Sequence, residues 1–361
     1  MMRITTRADL NIGLICNLKC KFCYDLDTLN AKKGPSIDKL RAEVAFLKKK
    51  GIDTIDITGG EATLRPDLTD IIKMIRDEFG ISNICIITNG FKLADLFYMK
   101  GIVNAGVNEF IFSIQGASAE LHDRTVEIKG SFDRVMKALE QACQLGLTVR
   151  VNTTVTSYNY DKVSDIAGLI SRYKIKNYNL IMFSPLLDAA SRSHEMMVQY
   201  SVAAPFLKKT INEYREVIEH IYVKLMPVCF MQGYEKHVIN MAQTSYTAFD
   251  WDFCLRSRRR KGALLYWLGT MAGFLLFTEP RGLWKRNPKE VLRDSFLNLQ
   301  EAINKYKPSS CKSCKFSPIC SGVWREYDQE FGVKELVPVQ GKKVLRPYDL
   351  LGDFTASDPL V

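Results

Sequence analysis

Between residues 8 and 185 the chain alternates short apolar runs with longer amphipathic ones, and this rhythm limits the fold more than any other feature. Residues 10–15, 54–58, 84–88, 109–114, 147–153 and 178–183 read as strands. Helical periodicity lies between them, near 37–50, 67–79, 91–105, 132–145 and 160–173, the first opened by the capping residue Ser36 and closed by Lys48, Lys49, Lys50 and Gly51. Nearly continuous apolar strands separated by helices are the pattern of a parallel sheet covered by helices. Six such units suit a barrel left open on one side, so the expected fold is α/β, a partial (β/α)6 TIM-like barrel. Active sites in such sheets lie at the carboxyl ends of the strands.

Beyond Pro185 the pattern gives way to a polar, amphipathic stretch, with a helix expected over 203–222 and a strand-like run over 223–230. The last third is rich in cysteine. The expected organisation is a barrel over 1–200, a helical connector over 201–245, a small cysteine-rich α+β domain over 246–330 and a tail over 331–361 that carries Pro338, Gly341, Pro347 and Gly352. The longest apolar stretch, 263–277, is interrupted by Gly269, Thr270 and Gly273 and is shorter than a membrane helix needs. Ten cysteines without a signal-peptide pattern point to a reducing compartment, so the protein is expected to be soluble and cytoplasmic. The net charge of +10 favours anionic partners.

Directly after the first strand the chain reads Cys16-Asn17-Leu18-Lys19-Cys20-Lys21-Phe22-Cys23-Tyr24. Three soft thiolates in one tight loop can hold three irons of a 4Fe-4S cube and leave the fourth open to a small molecule. A closed zinc site would want a fourth ligand close by, and a disulfide framework an even count in a small secreted chain. This C-x3-C-x2-C spacing, with aromatic Phe22 before the last cysteine, resembles the radical S-adenosylmethionine (radical SAM) enzymes. Gly59-Gly60-Glu61, at the end of the second strand, resembles the family motif that holds the methionyl amine of SAM. The glycines allow close backbone approach and the carboxylate accepts from an ammonium group. The usual family run continues with proline, and this chain has Ala62.

By the same resemblance Phe22 and Tyr24 of the loop, Asn89 in Thr88-Asn89-Gly90, Ser113 at the end of the fourth strand and Asn152 at the end of the fifth are candidates for contact with SAM. For the polar residues, satisfying backbone groups in turns is an equal alternative. The resemblance covers residues 8–185. It implies that a reduced cluster at Cys16, Cys20 and Cys23 cleaves SAM to methionine and a 5'-deoxyadenosyl radical, which takes a hydrogen atom from the substrate.

Cys311-x2-Cys314-x5-Cys320 has the spacing of the SPASM or twitch modules that follow many radical SAM barrels and carry auxiliary iron-sulfur clusters. Two ligands of the fuller pattern are replaced by Thr278 and Trp324. The resemblance therefore implies one auxiliary 4Fe-4S cluster, held by Cys254, Cys311, Cys314 and Cys320, with Cys229 a rival for Cys254. A four-cysteine zinc ribbon is the alternative. Cys85 and Cys143 lie in an apolar strand and helix and are expected in the core. His122, His194, His220 and His237 show no ligand spacing. The basic run at 256–261 reads as a solvated loop or, more sharply, as a phosphate or anionic-peptide contact.

The expected function is hydrogen abstraction from a small-molecule substrate, an anionic one being favoured by the charge, by an oxidoreductase or maturase type of radical SAM enzyme. An external one-electron donor such as flavodoxin or ferredoxin is implied, and no membrane. A peptide- or protein-modifying maturase is the alternative. Two readings from other classes stay open: an iron-sulfur electron-transfer protein, against which Gly59-Gly60-Glu61 argues, and a zinc-containing nucleic-acid-binding protein, which lacks aromatic residues among the basic run for stacking bases.

Overall fold

The computed structural model describes residues 6–30, 34–239, 246–247, 268, 271, 304–345 and 347–350. Strands β1 (Arg7–Asn11), β2 (Thr54–Thr58), β3 (Asn83–Thr88), β4 (Glu109–Ser113), β5 (Thr148–Val155), β6 (Asn177–Met182) and β7 (His220–Lys224) pair in chain order, all parallel. Helices α1 (Ile37–Lys49), α2 (Leu68–Lys73), α3 (Leu96–Ala105), α4 (Ala119–Val126), α5 (Ser131–Gln144), α6 (Val163–Ile170), α7 (Ser193–Met196) and α8 (Tyr200–Tyr214) fill the crossovers. The result is an α/β partial barrel. Ser36 caps α1 as its sequence requires, its hydroxyl accepting from the Lys39 N–H at 3.3 Å.

The sheet runs one strand beyond the six units expected. The strand-like character anticipated over 223–230 belongs to β7, which ends at Lys224, while Val228–Met231 is a 3-10 turn that carries Cys229. Likewise the helix expected over 203–222 is α8, which starts three residues earlier and stops at Tyr214 to leave room for β7. It packs on the barrel through the edge-on contact of Phe206 with Tyr160, their centroids 5.4 Å apart. Both edges of the sheet gain a short parallel addition: Val238 bridges to Val223, and β8 (Tyr246–Thr247) pairs with Ala8 and Asp9 of β1.

Strand residues alternate between two environments. Leu10, Ile57, Ile86, Phe112, Val151 and Leu180 face the helices and join the apolar core. The opposite face turns polar groups into the barrel. There Arg7 ion-pairs with Asp56 and, at 2.7 Å, with Glu109, and Arg150 reaches Glu109 at 3.1 Å. Burial alone would lower Arg7, but Asp56 and Glu109 together hold it above its ordinary value. Cys85, expected in an apolar setting, is buried between Asp56 and Glu109 in register and so belongs to this ionic floor.

Residues 304–345 add a small antiparallel pair, β9 (Lys305–Tyr306) with β10 (Val323–Trp324), and a helix α9 (Arg325–Phe331). Tyr327 of α9 stacks on Tyr200 of α8 at 4.2 Å and 14°, and its hydroxyl accepts from the Tyr200 N–H at 2.8 Å. Lys315 pairs with Glu235 at 3.7 Å. No helix among the described residues is long and apolar enough to cross a membrane. The apolar stretch over 263–277 lies outside the described residues apart from Leu268 and Met271, as does all of the basic run at 256–261.

Candidate active site

The chain leaves β1 and lies against the loop that follows β2. Gly60 N–H donates to Gly13 O at 2.8 Å and Glu61 N–H to Ile15 O at 2.7 Å. A Cβ on Gly59 would stand 2.1 Å from Gly13 O, and one on Gly60 would stand 2.3 Å from Ile15 O. These two glycines therefore let the root of the cysteine loop press directly on the β2 loop.

Seven further hydrogen bonds shape the cysteine loop. The Asn30 side chain accepts from Cys16 N–H at 3.0 Å and donates to Cys16 O at 3.2 Å. Lys19 and Lys21 N–H donate, both at 3.1 Å, to the carbonyls of Val126 and Thr125, exposed where α4 ends. Asn17 accepts from the Asn89 amide at 2.9 Å, which ties the loop to the turn after β3. Arg192 donates to the carbonyls of Lys21 and Cys23, each at 2.7 Å.

Glu61 is buried, and its carboxylate collects four donors: Thr63 N–H at 3.1 Å, Thr63 Oγ1 at 2.5 Å, Thr88 Oγ1 at 2.8 Å and Asn89 N–H at 2.7 Å. A carboxylate offers about four lone-pair positions, so this set occupies it. Burial pushes its proton affinity up, and the hydrogen bonds from Thr63, Asn89 and Thr88 pull it back. In the structure this carboxylate ties the β2 and β3 turns together.

These turns enclose a cavity of about 540 Å³ at the carboxyl ends of the strands, a volume suited to a small ligand. Its walls include Cys16, Cys20 and Cys23 with Phe22 and Tyr24, Gly59 and Gly60, Asn89, Ser113 and Asn152. Ser113 and Asn152 are partners in register on β4 and β5, and Asn152 accepts from the Asn179 amide at 2.8 Å. All predicted barrel residues except Glu61 thus border one space. Asp9, Asn11 and Thr154 also border it, as do Lys305 and Trp324 from the far end of the chain. Alternating polar residues within the strands were the sequence signal for the first three; nothing local pointed to the last two.

The three thiols fit an iron-sulfur cluster in their chemistry. Burial pushes Cys23 up to about 11 and raises Cys16, while Cys20 is raised well above its ordinary value by burial and then by its two neighbours. Three close thiolates repel one another unless cationic iron lies between them. Among the described residues no three His, Cys, Asp or Glu side chains converge on a single-ion site. Each iron of a cubane takes its own thiolate, so its cysteines need not converge on one point.

The second group assembles from two distant stretches. Burial pushes Cys229 up to about 12, and Cys320, Cys314 and Cys311 add to the rise, so Cys229 lies within electrostatic reach of these three. Met226 and Pro227 line a small cleft with Cys320 and Trp324. Cys254 lies outside the described residues. Cys143 is half-buried on α5.

Residues 10–170 match the profile of the Radical SAM superfamily. A probable GTP 3',8-cyclase of Saccharolobus islandicus is 29% identical over 225 residues, 60% of this chain and 66% of that protein. An AdoMet-dependent heme synthase of Oleidesulfovibrio alaskensis is 28% identical over 208 residues, 57% of this chain and 50% of that protein. Streptococcus suis SuiB bound to its precursor peptide SuiA shares the fold, with a TM-score of 0.60 at 14% identity over 95% of this chain and 76% of that one. The matched region, residues 10–170, runs from β1 to the end of α6, and over it the chain is similar to the Radical SAM superfamily.

Proposed function

We propose that the chain binds a 4Fe-4S cluster at Cys16, Cys20 and Cys23, cleaves SAM reductively and abstracts hydrogen from a small anionic molecule. The observation that carries this is the convergence of the cysteine loop, Gly59-Gly60, Asn89, Ser113 and Asn152 on one cavity. When bound, the cluster and SAM supply one-electron cleavage of the sulfonium and the hydrogen-abstracting group. Three protein thiolates leave one cluster position for SAM. Gly59, Gly60, Asn89, Ser113 and Asn152 offer backbone and side-chain polar groups to SAM, while Phe22 and Tyr24 shield the cavity from water. Glu61 keeps the two turns in place.

An auxiliary 4Fe-4S cluster at Cys311, Cys314 and Cys320 is part of the proposal, with Cys229, which feels the charge of all three, or Cys254 as the fourth ligand. The likeness to proteins named GTP 3',8-cyclase, with the net charge of +10, makes GTP the first substrate to test. Flavodoxin or ferredoxin would serve as electron donor.

The test is anaerobic incubation of the reconstituted, reduced protein with SAM. 5'-Deoxyadenosine should form. Its absence overturns the proposal. Replacing Cys16, Cys20 and Cys23 with alanine should abolish the product and leave about four irons per chain at the second site.

A further inference from the structure

Arg192 is remote in sequence from the cysteine loop, 171 residues beyond Lys21 and 169 beyond Cys23, yet it grips the loop at both points. Nε donates to Lys21 O and Nη2 to Cys23 O, each at 2.7 Å, so one planar guanidinium brackets Phe22. The turn around it supports that grip. Asp188 N–H donates to Tyr24 O at 3.1 Å, and its carboxylate accepts from Asp27 N–H at 3.2 Å. Glu195 pairs with Lys21 Nζ at 2.9 Å.

Two features set Arg192 apart from these neighbours. Its fork is rigid and spans two carbonyls, which a single ammonium cannot do with the same geometry. It also brings a permanent positive charge to the backbone of Cys23, where the loop would carry thiolate charge. A group that reduces at this loop gains negative charge, and a fixed cation beside it favours the reduced form.

We infer that Arg192 is a positioning residue for the N-terminal cluster: it fixes the peptides from Lys21 to Cys23 so that the thiolates of Cys20 and Cys23 are preset, and its charge favours reduction of what they hold. This rests on the radical SAM reading above. The full-length reconstituted protein is compared with Arg192→Gln and Arg192→Lys. Two quantities are followed: the rate at which a chelator removes iron from the SAM-responsive cluster, and the fraction of that cluster reduced at a fixed solution potential, read from the electron paramagnetic resonance signal that changes on adding SAM.

Both variants should lose iron about ten-fold faster, because neither keeps the fork. The reduced fraction should fall about ten-fold in Arg192→Gln and return to near wild type in Arg192→Lys. Were the glutamine variant not to fold, the lysine variant carries the iron-loss test alone. Wild-type iron retention in Arg192→Lys overturns the inference, as does equal loss of reduction in both variants. A wild-type protein that takes up no iron at Cys16, Cys20 and Cys23 overturns the radical SAM reading itself.

Discussion

Four hydrogen-bond donors around one buried carboxylate make Glu61 the most tightly specified side chain of the site. Glutamine is nearly the same shape but replaces one acceptor with an NH2 group. In Glu61→Gln that group must face either the Asn89 N–H or the Thr63 N–H, and a buried donor is left opposite a donor. The expected cost is about 2 kcal/mol of unfolding free energy, measured by denaturant titration. An equally stable variant would show instead that the carboxylate can release its donors to a ligand amine. Sequence reasoning located Glu61 correctly at a strand end, but its partners Thr63, Thr88 and Asn89 come from two turns that only the β2–β3 pairing brings together.

For elements, the strands and the loops that follow them divide the work. β2 was legible to the residue, since a short apolar run ending in two glycines has few alternatives. β7 was harder to read. His220 and Lys224 frame a short run inside a stretch that reads as helical, and its membership in the sheet depends on pairing with β6. The Gly59-Gly60 loop gives the element-scale prediction. Alanine at either position drives a methyl into Gly13 O or Ile15 O. Gly59→Ala and Gly60→Ala should each lose about 3 kcal/mol or more and retain little iron after reconstitution. Gly80 also has positive φ, +61°, but nothing lies within 4 Å of its added Cβ. Gly80→Ala should therefore cost only about 1 kcal/mol, from the left-handed backbone alone, and keep its iron. Equal losses at all three positions would refute the close-approach account.

Across the whole molecule, the chain's two cysteine groups are joined by packing of α8 against α9. Tyr327 stacks on Tyr200, accepts from its N–H and is bonded through its hydroxyl to Glu335. Nearby, Lys305 and Trp324 of the β9–β10 pair reach the cavity whose other wall is the first cysteine loop. Tyr327→Ala removes a fully buried ring and should cost about 3–5 kcal/mol. Residues 304–345 should then become sensitive to limited proteolysis, and iron at the second site should fall while the cluster at Cys16, Cys20 and Cys23 persists. Intact resistance to protease in that variant would show that the second group holds itself in place.

By itself the sequence determined what is local: the alternation that makes a parallel sheet, the C-x3-C-x2-C loop, and the glycines and polar residues at strand ends. These follow from periodicity and spacing, which act over a few residues. Only the tertiary structure decided what depends on distant chain segments meeting. It placed the ionic floor of Arg7, Asp56, Glu109 and Arg150 and the grip of Arg192 on the cysteine loop. Such contacts form because burial forces each inward polar group to find a partner, and which partner is in reach is settled by strand register and helix packing.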